Sequence, residues 1–64
     1  MQNLSEYIKQ CRKQYGLTQI ELSAKSGVGL RFVRELEQGK TTLRMDKVNQ
    51  VLTLFGAELK AVKI

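Results

Sequence analysis

Residues 17–39, LTQIELSAKSGVGLRFVRELEQG, constrain this chain more than any other stretch. They divide into two short segments of apolar periodicity separated by Gly27-Val28-Gly29. Thr18 and Glu21 have the spacing of a capping box, in which the Thr hydroxyl accepts from the Glu21 N–H and the Glu21 carboxylate accepts from the Thr18 N–H. That predicts a helix over about 19–26. Gly27 stands where the chain must leave this helix through the left-handed region, in which a Cβ is costly. Val28 is expected to plug the turn into the core, and Gly29 to start the next helix as an N-cap without a side chain. This next helix covers about 30–38. At the helical repeat, Val33 and Leu36 face one way with Phe32 on the flank, while Arg31, Arg34, Glu35 and Gln38 face the other.

The flanking segments supply the rest of a core. Leu4, Ile8, Cys11 and Tyr15 recur at helical spacing and predict a helix over about 4–15, stopped by Gly16. Met45, Val48, Leu52 and Phe55 predict another over about 45–55, with Val51 widening the stripe, Leu54 off it and Gly56 ending it. Leu22, Ile20 and Ala24 are expected to turn inward from the helix at 19–26. Lys40–Arg44 reads as a polar loop anchored by Leu43. The expected architecture is all-α: a compact four-helix domain over 1–56, with a tail over 57–64 whose imperfect alternation suggests a strand. An isolated strand leaves its backbone groups unpaired, so it calls for pairing with the same strand of a second copy. The alternative is a frayed terminus.

Composition narrows what such a domain can do. Sixty-four residues make at most one domain, and a chain this short buries only about 60% of the surface its unfolded form exposes. One cysteine and no histidine leave no disulfide, zinc site or Cys/His nucleophile within the chain, so no enzyme and no cofactor are expected. Cys11 lies on an apolar stripe and reads as a small buried hydrophobe. No apolar run is long enough to span a membrane, and no secretory leader is visible, which points to a cytoplasmic protein. The net charge of +5, from eleven Lys+Arg against six Asp+Glu, favours a polyanionic partner, nucleic acid before membrane.

The run Gly16-Leu17-Thr18-Gln19, then Leu22-Ser23, Gly27-Val28, Val33 and Leu36-Glu37-Gln38-Gly39-Lys40 resembles the Cro/cI-type helix-turn-helix family. The resemblance covers about residues 4–56 and implies a lambda-repressor-like fold whose second motif helix enters the DNA major groove. It also implies that Gln19 bonds a phosphate and braces that helix, and that Arg12 and Glu37 form a structural ion pair. The strand-like tail is similar to the HipB-type antitoxin branch, which implies a HipA-like serine/threonine kinase toxin as partner. Three positions depart from the family pattern: Gly29 where Ser or Thr is usual, Leu30 where a polar base reader often stands, and Thr41-Thr42 where a proline is common.

On this reading Arg31 and Arg34 are the candidate base readers, because an arginine can donate two hydrogen bonds to guanine O6 and N7. Either can instead contact only phosphate. Glu35 can accept from a cytosine amine or orient an arginine, and Leu30 can touch a thymine methyl or be buried. Candidate phosphate contacts are Thr18, Gln19, Gln38, Lys40, Thr41 and Arg44, with the N-termini of the two motif helices. Leu54, Leu59, Val62 and Ile64 are the candidate dimerisation residues. A two-fold homodimer would read a palindromic double-stranded operator.

Overall fold

A computed structural model describes residues 3–61 and 63, and in it four α-helices follow one another: α1 (Leu4–Gln14), α2 (Gln19–Ser26), α3 (Leu30–Glu37) and α4 (Met45–Leu54). Three of them end one residue before the sequence expectation. Tyr15, Gln38 and Phe55 are the C-caps, and each still donates its backbone N–H back into its helix. The start of α1 is fixed by Asn3, whose side chain accepts from the Glu6 N–H at 2.9 Å.

All four helices share one core. Ile8 from α1, Leu22 from α2, Val33 and Leu36 from α3, and Val48, Val51 and Leu52 from α4 close around Val28 of the turn. α3 packs against both α1 and α2, and α2 also packs against α4. Leu43 anchors the loop before α4 to this core, and Phe32 flanks it.

Four residues expected inside are outside. Ile20 is 65% exposed and Ala24 is also exposed. Residues two apart on a helix point about 200° away from each other, so with Leu22 central, neither neighbour at that spacing can share its face. The buried stripe of α2 is Leu22 and Ser26 alone. Met45 opens α4 beyond the edge of the core and is also exposed. Tyr15 stands outside the core at the end of α1, its ring edge-on to Phe55 with centroids 5.0 Å apart.

The expected strand over 57–64 does not form among the described residues. The chain turns back along α4 instead: the Ala57 N–H donates to Leu52 O at 3.0 Å, and the Leu59 N–H donates to Asn49 Oδ1 at 2.7 Å. A single chain offers no partner strand, so a side-chain amide and the end of a helix satisfy these backbone groups. Ala57 and Leu59 pack against the core, and Leu54 is half-buried. Val62 and Ile64 lie outside the described residues.

Candidate nucleic-acid interface

The angle between α2 and α3 is set at the turn. Gly27 has φ +81°, the left-handed region that favours glycine, and a Cβ there would stand 2.9 Å from Gln50 Nε2. That same Gln50 amide donates to Ser26 O at 2.7 Å. Ser23 Oγ donates to Val28 O at 2.6 Å, and Ser26 Oγ to Leu22 O at 2.7 Å. Ser23 and, from α4, Gln50 thus satisfy backbone carbonyls at the turn, while Ser26 bonds back onto its own helix. Sequence reasoning missed all three. The Gln50 partner comes from tertiary structure, 24 positions away, and the two serine bonds are local but carry no distinctive spacing beside the apolar stripe.

A second lock ties the far end of α3 to α1 and α2. Arg12 Nε donates to Glu37 Oε2 at 2.7 Å and Arg12 Nη2 to Glu37 Oε1 at 3.0 Å, a bidentate pair whose side chains are only 14% and 3% exposed. The remaining guanidinium nitrogen, Nη1, donates to Leu17 O at 2.9 Å. Gln19 Nε2 adds a bond to Glu37 Oε1 at 3.2 Å. One carboxylate therefore holds α1 and the first residue of α2 to the last residue of α3. A charge this buried is tolerated because both of its oxygens are bonded.

Thr18 caps α2 as its spacing suggests. Its hydroxyl accepts from the Glu21 N–H at 3.1 Å, and Glu21 Oε1 accepts from the Thr18 N–H at 2.9 Å. The Thr18 backbone bond holds the Glu21 carboxyl below the usual carboxylate range. Gly29 caps α3 with no side-chain bond.

With Val33, Leu36 and Glu37 buried, α3 turns Arg31, Arg34 and Gln38 to solvent. The Arg31 side chain is 94% exposed. The Arg34 side chain makes no hydrogen bond or ion pair among the described residues, and it lines a shallow groove with Leu17, Thr18, Gln19 and Ile20 from the start of α2. Glu35 is half-buried and lies between two cations. Lys40 Nζ donates to its Oε2, and Arg31 Nε stands 3.5 Å from its Oε1. The Lys40 bond, more than Arg31, holds the Glu35 carboxyl low, so it remains ionised at neutral pH.

Leu30 is half-buried, and Thr41 is exposed in the loop beyond α3. Arg44 turns both Nε and Nη2 onto Asp46, at 3.1 and 2.7 Å, and so enters any phosphate contact already paired. The structure thus brings Thr18, Gln19 and Arg34 to one groove, and Arg31, Glu35 and Lys40 to one cluster. Among the described residues no group of His, Cys, Asp and Glu could hold a metal, and no helix is long and apolar enough to cross a membrane.

These features define a class. The helix-turn-helix family matches residues 8–61, nearly the whole fold. The chain is also 40% identical over 57 residues to an uncharacterized HTH-type transcriptional regulator, y4mF, of Sinorhizobium fredii (strain NBRC 101917 / NGR234), covering 89% of this chain and 75% of that protein. The chain belongs to the helix-turn-helix family of Cro/cI type, whose members are DNA-binding transcription regulators.

Proposed function

We propose that the chain is a sequence-reading transcriptional repressor that binds a palindromic operator as a homodimer. The observation that carries this reading is the outer face of α3, where Arg31 is almost fully exposed and the Arg34 side chain has no described partner, on a helix locked at both ends. Exposed guanidinium groups on a rigid helix can meet guanine edges in the major groove. Gln38, Thr18, Gln19, Thr41, Lys40 and Arg44 act as the positioning contacts to phosphate, which carry no sequence information. Glu35 orients the cations beside it, and Leu30 lies at the edge of the reading face.

One short helix covers only a few base pairs, so operator length requires two copies, with half-sites about 10 base pairs apart or a multiple of that. Leu54, Leu59, Val62 and Ile64 are the residues proposed to make that pairing. The resemblance of the tail to the HipB branch supports a narrower role: a cytoplasmic antitoxin that represses its own operon and sequesters a HipA-like kinase. A kinase-like reading frame beside this gene, whose product co-purifies with the chain, is the outcome expected for an antitoxin. An isolated gene with an intact operator leaves a stand-alone repressor.

The site assignment is tested by fluorescence anisotropy on a duplex selected by the wild-type chain and on a scrambled duplex. Arg31→Ala and Arg34→Ala should each lower discrimination by about 1–3 kcal/mol, while Lys40→Ala weakens both duplexes about equally. If the three variants behave alike, the division into readers and positioners is wrong.

A further inference from the structure

Glu35 has an arrangement that base reading by Arg31 and Arg34 does not require. Its carboxylate is bonded on one oxygen by Lys40 and approached on the other by Arg31. Arg31 belongs to the proposed reading set and Lys40 to the positioning set, so a single negative charge sits between the two kinds of contact. We propose that Glu35 is a specificity-determining residue that acts as a charge filter, occupying Arg31 and Lys40 in the free protein so that DNA without the right base edges does not recruit both cations. This rests on the DNA-reading function proposed above and concerns the same face.

The physical argument is one of exchange. On any duplex, phosphate oxygens compete with Glu35 for Lys40 and Arg31. Winning both cations leaves the carboxylate unpartnered close to the phosphate chain, where like charge penalises it. On the correct site, Arg31 turns to a guanine edge, Lys40 holds phosphate and the carboxylate accepts from a base amine, so its charge stays compensated. The ion pairs are exposed enough to exchange. The Arg31, Lys40 and Glu35 side chains are 94%, 46% and 26% accessible. The low titration point of Glu35 keeps the filter charged at neutral pH. Glu37, two residues further on, cannot act this way, because Arg12 and Gln19 hold it inside the fold.

The test is Glu35→Gln in the full chain, which keeps the shape and removes the charge. Glu58→Gln is the control, since it removes an equal charge from a pair with Lys60 in the tail. Affinity is measured by anisotropy for the selected duplex and for a random-sequence duplex across a salt series, with circular dichroism to confirm the fold. For Glu35→Gln, random-sequence affinity should rise roughly three- to tenfold and its log–log salt slope should steepen by about 1–2, as freed cations engage phosphates. Affinity for the selected duplex should rise less, so the ratio between the duplexes falls, while Glu58→Gln leaves it unchanged. An unchanged ratio for Glu35→Gln, or equal shifts in both variants, overturns the filter and leaves the DNA-reading function standing. A wild-type chain that does not discriminate between duplexes overturns that function, and the filter with it.

Discussion

Two glutamates on one turn of α3 have opposite surroundings. Glu37 is 3% exposed and bonded by Arg12 and Gln19, whereas Glu35 is 26% exposed between Lys40 and Arg31. Two residues of separation on a helix put them on opposite faces. On the inner face the partners come from other helices, and the pair fixes where α3 lies. On the outer face the partners are long and exposed, and can leave for something else. The same charge chemistry thus serves as a lock on one side and as an exchangeable contact on the other, and burial decides which.

The largest expected effect lies on the inner side. Glu37→Ala should cost about 3–5 kcal/mol in urea denaturation, because Arg12 is then left buried without its partner. Arg12→Ala should cost a similar amount, and the double variant should cost less than the sum of the two. A single-variant loss under about 1 kcal/mol would make the pair an ordinary surface bridge and erase the contrast with Glu35.

At the turn, Gly27→Ala should cost about 1–2 kcal/mol through its left-handed backbone, and it also displaces the Gln50 amide from Ser26 O. Thr18→Ala should cost about 1 kcal/mol through loss of the α2 cap. The other half of that cap depends on pH. The folded-state value of Glu21 is depressed, so its contribution is fully present at neutral pH, above the unfolded carboxylate value. It is lost as pH falls through the depressed folded value. The stability difference between wild type and Glu21→Gln should therefore vanish on acidification, as followed by thermal melts across pH. The smallest effect on stability is expected on the outer face, where Arg31→Ala should leave the denaturation midpoint near that of wild type. A large stability loss there would merge the two regions.

Much of the fold is legible in the sequence because it rests on local rules. The Thr18–Glu21 box, the Gly27 exit and the stripes of Ile8, Val33, Leu36, Val48 and Leu52 depend only on spacing. Asn3 and Glu6 have the same spacing as that box, a signal that could have fixed the start of α1. Ile20 and Ala24 fail on spacing itself, since residues two away from Leu22 cannot share its face, whereas Met45 and the tail depend on the rest of the fold. The tail alternates like a strand, yet Asn49 and the end of α4 satisfy its backbone. The pairing of Arg12 with Glu37 spans 25 positions, and only family resemblance suggests it. The sequence also places Glu35 and Lys40 in separate roles, and their contact becomes visible only where the chain turns back after α3.

The central claim is that a locked α3 offers a sequence-reading face, and it is tested most directly by titrating the wild-type chain against its own upstream DNA and a scrambled duplex. Fluorescence anisotropy at two salt concentrations would follow the binding. The account predicts saturable binding that prefers the native duplex at both salts. Weak binding that ignores sequence and collapses at the higher salt would contradict it, reducing the arginines of α3 to generic positive charge.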